Sequence, residues 1–194
     1  VVRSSSTPAT PAGGFSANQT LVGQYQPQFV GMTTSNQPGA TGDGMLIGEQ
    51  GGGQLIDMKE IQIHPTVAAG SRILITEAVR GNGAILINRN GKRFVNELTT
   101  RDKASQAVLA QPGGSAFLVF DSVIHKSLKQ IDGYFELGLV KEGATLAELA
   151  QAMGAPADAL AQSLDTYNKA FEAKKDAEFG RADLPRAIRT PKFY

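Results

Sequence analysis

The sequence predicts an α+β fold, and three observations predict it. Two short apolar runs of strand character, residues 84–87 and 115–121, lie in the middle of the chain. The last third carries apolar residues at helical spacing, Leu160, Leu164, Tyr167 and Phe171. Nowhere do a strand, a Gly-rich turn and a helix occur with the GxGxxG spacing that opens a doubly wound dinucleotide fold. A small mixed sheet with surrounding helices is the architecture these imply.

Taken in order, residues 1–14 are rich in Ser, Thr, Pro and Ala, offer little to bury and read as a tail or junction. Ser16 to Tyr25 predicts a short helix capped by Ser16 and stopped before Pro27. Asp43 to Gln50 predicts a second helix, followed by extended segments over 54–58 and 60–63. Ile73 to Arg80 is ambiguous between strand and helix. Ala84–Asn88, the Asn90–Gly91 turn and Arg93–Asn96 read as a hairpin. Arg101 to Gln111 predicts a helix stopped by Pro112, Ser115–Asp121 a buried strand and Ser122–Gln130 a short helix. Thr145 and Glu148 form a capping box that opens a helix ending at Gly154, and a further helix starts at Pro156.

Composition excludes several functions. The 194 residues carry 19 basic and 18 acidic side chains, a net charge of +1, which argues against sequence-independent nucleic-acid binding. No apolar run approaches the ~20 residues that span a bilayer, so no membrane insertion is expected and the chain reads as soluble. With no Cys, disulfides, thiolate catalysis and thiolate metal sites are out, and no metal site is assigned.

The chemistry concentrates between His64 and Asp102. This stretch holds His64-Pro65-Thr66, Thr76-Glu77-Ala78-Val79-Arg80, Arg93-Phe94-Val95-Asn96-Glu97 and Thr99-Thr100-Arg101-Asp102. Glu77 and Arg80 are three apart and can pair on a helix. Arg101 opens its helix, where exposed peptide N–H groups also favour an anion. A guanidinium, an imidazole and a hydroxyl converging there would bind a carboxylate, which Arg matches bidentately. On the residues alone each keeps a plainer reading: His64 as a loop or core histidine, Glu77–Arg80 as a structural ion pair. His125 is assigned no role.

These motifs, with Asn36-Gln37-Pro38-Gly39-Ala40-Thr41-Gly42-Asp43-Gly44 and the run Gly81-Asn82-Gly83-Ala84-Ile85-Leu86, resemble the soluble fumarate reductase and flavocytochrome c family. That family belongs to the succinate dehydrogenase and fumarate reductase flavoprotein group. The resemblance runs from about Gly13 to the C-terminus and implies the capping (clamp) domain of a fumarate-reductase-type flavoprotein. It implies that 1–14 is a tail or junction from an FAD-binding domain and 15–60 the edge of that domain. Residues 61–190 would then be the cap, and 191–194 the return toward the FAD-binding domain. Gly13 and Gly14 would end an FAD-domain strand, and Asp43 would sit in a flavin-contacting loop. His64, Thr76 and Glu77 would lie at one carboxylate of a bound dicarboxylate. Arg101 would be the proton donor, with Glu77 and Arg80 as its relay.

The implied activity is reduction of fumarate to succinate with FAD, the cofactor being held mainly by residues outside this chain, in the remaining FAD-binding domain of a parent protein. The isolated chain is therefore expected to be inactive. Alternatives are a related reductase of urocanate or acrylate, or a non-catalytic capping module. The electron donor (haem, FMN or NADH) is not legible, and the compartment stays open between bacterial periplasm and cytoplasm.

Overall fold

Capping chemistry and hydrophobic spacing account for most helices in the computed structural model, which describes residues 2–3 and 14–194. Contacts divide the chain into two units, Val1–Gln62 with Gly70–Ile73, and Ile63–Ala69 with Leu74–Tyr194.

In the first unit, α1 (Gln19–Tyr25) is capped by Asn18, whose side chain accepts from Leu21 N–H at 3.1 Å. Ser16, the expected cap, instead accepts from Thr34 and Asn36 side chains at 2.9 and 2.8 Å. Asn is as good a cap as Ser, and it stands one residue before the helix where Ser16 is three away. Helix α2 (Asp43–Gln50) has the predicted limits. Its entry needs Gly42: φ is +85°, and an added Cβ would lie 2.9 Å from Phe15 Cβ. Val2–Arg3 (β1) pairs antiparallel with Gln54–Leu55 (β2), the one part of the expected extended segments that forms a strand.

The second unit holds α3 (Glu77–Gly81), β3 (Ile85–Ile87), α4 (Arg101–Leu109), β4 (Phe117–Val119), α5 (Ser122–Ser127), α6 (Gln130–Glu136), α7 (Leu146–Met153) and α8 (Ala157–Ala173). Strands β3 and β4 pair antiparallel, with Leu86 opposite Leu118. Among the described residues the sheets are two antiparallel pairs, not one mixed sheet. Helix α7 keeps its capping residue, Thr145 accepting from Glu148 N–H at 3.2 Å, and ends on Gly154 in the left-handed region. Leu149, Met153, Leu160, Leu164 and Tyr167 pack on β3 and β4 residues in one core.

The expected hairpin partner of β3 is corrected. The turn is present, with Asn88 N–H donating to Lys92 C=O at 2.9 Å and Gly91 at φ +75°. The return is shortened to a single bridge from Ile87 to Arg93, and β4 pairs along the other edge of β3. The reason is polar: Arg93 turns inward and grips Glu97 four residues on, which a strand, with a side-chain period of two, would place on the same face but too far along. Helix α6 and the extended 174–194 segment were not anticipated. That segment supplies buried Asp176, Arg181, Ile188 and Phe193 to the unit. Residues 191–194, read as a return path, are here bonded to it: Phe120 and Tyr194 exchange backbone hydrogen bonds of 3.0 and 2.8 Å.

Candidate active site

Helix α3 begins where Thr76 Oγ1 accepts from Ala78 N–H at 3.4 Å. Thr76 N–H in turn donates to the Tyr134 hydroxyl on α6 at 2.9 Å. Glu77 follows in the first turn, where the positive end of the helix dipole favours a carboxylate. The single helical turn settles the ambiguity of 73–80: residues up to Thr76 lie outside the helix, and Glu77 and Arg80 stand one turn apart.

Glu77 lies between two guanidiniums. Its Oε2 accepts from Arg101 Nη2 at 2.7 Å and from Arg101 Nε at 3.1 Å. Its Oε1 lies 3.8 Å from Arg80 Nη2, an ion pair too long for a hydrogen bond. Hydrogen bonding by Arg101, helped by the charges of Arg80 and Arg101 and opposed by burial, holds the Glu77 carboxyl below its ordinary range. The Glu77 and Arg101 side chains are 45% and 42% exposed, whereas Arg80 is fully buried. The pair therefore meets solvent on the Arg101 side.

Arg80 is held from the interior. Its Nη1 donates to the Glu97 carbonyl, while Nε and Nη2 are buried without a hydrogen-bond partner. Burial, together with the neighbouring charge of Arg101, pulls its pKa below that of a free guanidinium, against the pull of Glu77. Arg181 Nη2 donates to the Arg80 carbonyl at 2.7 Å. The carboxylate of Glu97 accepts from Arg93 Nε and Nη2 at 2.8 Å each, Arg181 Nη1 at 3.0 Å and Leu86 N–H at 3.2 Å. Arg93 also meets Asp176 at 2.8 Å and stacks on Tyr167 and Phe179. Such a network satisfies buried charge with charge-assisted bonds and fixes the backbone beneath Arg80.

His64 completes the cluster. Its Nδ1 receives Thr66 N–H at 3.3 Å. Burial first, then the charges of Arg80 and Arg101, push its pKa below 6.5, with Glu77 opposing. The Thr66 N–H contact, which needs an unprotonated Nδ1, agrees with that direction. The expected site residues His64, Thr76, Glu77, Arg80 and Arg101 all belong to the second unit. Asp43 and Gly14 lie in the first, exposed, and Gly13 falls outside the described residues. Tyr134 and Arg181 gave no signal in the sequence, being 58 and 101 residues from the groups they hold.

A family model described as the FAD binding domain, FAD_binding_2, matches residues 10–194. The chain belongs to this family. It is 48% identical over 182 residues to "Fumarate reductase (cytochrome)" of Shewanella frigidimarina, covering 94% of this chain and 32% of that one. To "NADH:fumarate oxidoreductase" of Klebsiella pneumoniae it is 44% identical over 175 residues, covering 90% and 19%. Among solved structures it resembles the open conformation of a flavocytochrome c3 fumarate reductase, with a TM-score of 0.81 and 42% identity, covering 94% of this chain and 32% of that one. The chain thus spans about a third or less of the length of these three relatives. Among the described residues no helix is long and apolar enough to cross a membrane.

Helix α2 starts from Gly42 with no side chain capping it, and Asp43 in its first turn is exposed, so this helix start is open to a polar group.

Proposed function

We propose that this chain is the capping-domain part of an FAD-dependent fumarate reductase that converts fumarate to succinate. The observation that carries the reading is the Glu77 carboxylate held between Arg101 and Arg80. FAD, when bound, supplies hydride chemistry to one alkene carbon, and α2 with Asp43 contributes a minor part of its binding surface.

This chain's own residues handle the proton and the carboxylates. Arg101 gives a proton to the neighbouring alkene carbon. A free guanidinium, with a pKa above ~12, is a poor acid in water. It becomes usable when the proton lost is replaced at once through the bonded Glu77 carboxylate, which is ionised at rest and takes up a proton on its far side as one passes to Arg101. Arg80, whose hold on its own proton burial weakens, is the next member of that chain. His64 Nε2–H and the Thr76 hydroxyl donate to one substrate carboxylate. Neutralising and polarising that carboxylate makes the alkene electrophilic, so these donors act on the transition state as well as on affinity. Movement of the cap over the FAD domain excludes water from the reacting carbons.

The test is fumarate-dependent oxidation of reduced viologen by the full-length parent, with urocanate and acrylate as competing substrates. Arg101→Lys keeps the charge and is expected to lower kcat by ~10²–10⁴-fold, the range for general acid catalysis. Near-normal turnover in that variant removes Arg101 from the acid role. Preference for urocanate or acrylate over fumarate overturns the substrate.

A further inference from the structure

Buried Thr66 makes three hydrogen bonds at once. Its N–H donates to His64 Nδ1 at 3.3 Å, its hydroxyl donates to the Ile75 carbonyl at 2.8 Å, and its own carbonyl accepts from Ile75 N–H at 2.8 Å. The hydroxyl has one proton, and Ile75 takes it. Thr66 Oγ1, though 3.3 Å from His64 Nδ1, therefore has nothing to donate to the ring. Thr66 N–H can bond only an unprotonated Nδ1, and that contact favours the neutral tautomer with its proton on Nε2. Ile75 immediately precedes Thr76. One residue thus sets the ring's tautomer and ties the His64 loop to the start of α3.

We propose that Thr66 is a positioning residue that locks His64 as the Nε2–H tautomer and holds it against the Thr76–Glu77 segment, so that the subsite offers one neutral N–H donor to a substrate carboxylate oxygen. The claim about substrate rests on the proposed function; the claim about the tautomer does not. Arg80 and Glu77 from α3 and Arg101 from α4 are the charged groups that act on the ring. Adding a proton at Nδ1 would exchange the acceptor contact with Thr66 N–H for a donor contact with Thr66 Oγ1, and both guanidiniums oppose it.

Long-range 1H–15N correlation spectra of the 15N-labelled chain test this, with His64 assigned through His64→Asn and His125 as an internal folding control. Wild type and Thr66→Ser are expected to show a pyridine-type Nδ1 and a pyrrole-type Nε2 at His64. Thr66→Pro, which has no N–H to place on Nδ1, is expected to move His64 toward the averaged pattern of free imidazole while His125 stays put. In the FAD-loaded full-length protein the same variant is expected to raise KM for fumarate about five-fold, the worth of roughly one hydrogen bond, by more than any fall in kcat, with Thr66→Ser restoring it. A protonated Nδ1 in the wild type overturns the proposal, and that reading survives even if Thr66→Pro does not fold. A folded Thr66→Pro protein that keeps the wild-type nitrogen pattern also overturns it. The expected nitrogen patterns in a protein that does not turn over fumarate would uphold the tautomer role and remove the substrate reading alone.

Discussion

Neutralising Glu97 and neutralising Glu77 should have opposite kinds of consequence, although both carboxylates grip arginines. Glu97 has no exposed side-chain surface and accepts from Arg93, Arg181 and Leu86 N–H. Glu97→Gln keeps the shape but turns an NH2 group toward guanidinium donors and leaves buried positive charge uncompensated. Removing one partner of a buried pair costs ~3–5 kcal/mol. For a chain of this size each kcal/mol moves Tm by ~2–4 °C, so Tm should fall by about 6–20 °C. Glu77→Gln acts on a half-exposed pair, where water screens the charges; about 0–1 kcal/mol and a shift under about 4 °C are expected. Differential scanning calorimetry of the chain at pH 7, checked by urea unfolding, reads both. The reasoning fails if Glu97→Gln melts within about 2 °C of wild type, or if Glu77→Gln falls as far as Glu97→Gln. In the full-length parent the order reverses in kind: Glu77→Gln leaves a folded protein with little turnover.

Other substitutions probe the same physics. Arg80→Met removes two unpartnered buried nitrogens and a buried charge but also the donor to the Glu97 carbonyl, so calorimetry should show a Tm within about 4 °C of wild type while parent turnover drops about ten-fold or more. His64 has a depressed pKa, so the fold binds its proton less tightly than the unfolded chain does. Its contribution to stability is complete above the unfolded value of 6.5 and is lost as pH falls through the window below it; an NMR titration midpoint above 6.5 would contradict this. Gly42→Ala forces a Cβ into a left-handed position against Phe15 and Leu21 and should cost ~1–3 kcal/mol in urea unfolding.

Much of the site was legible because its residues lie close together in sequence. His64, Thr76, Glu77, Arg80 and Arg101 fall within one polar stretch, and the i, i+3 spacing of Glu77 and Arg80 is a helical neighbour relation that α3 realises. What holds these groups was not legible. The Asn-Gly signal correctly marks a turn and a chain reversal but overstates the return strand, which is a single bridge, and it gives no sign of β4 on the other edge of β3, which packing selects. The Arg93–Asn96 segment looked like a strand since its apolar Phe94 and Val95 mask the inward pull of Arg93 on Glu97.

Alone, the amino-acid order determined the elements whose signals are local: the α2 limits, the Thr145 cap, the Gly154 stop and the apolar stripe of α8. These depend on hydrogen bonds and side-chain spacing within a turn or two, which any reader of the sequence can count. Tertiary structure decided the rest: β3 against β4, Tyr134 beneath Thr76, Arg181 beneath Arg80, and Arg101 reaching Glu77 across 24 residues. Charged side chains can find many partners along a chain, and burial, which makes an unpaired one costly, leaves few arrangements open.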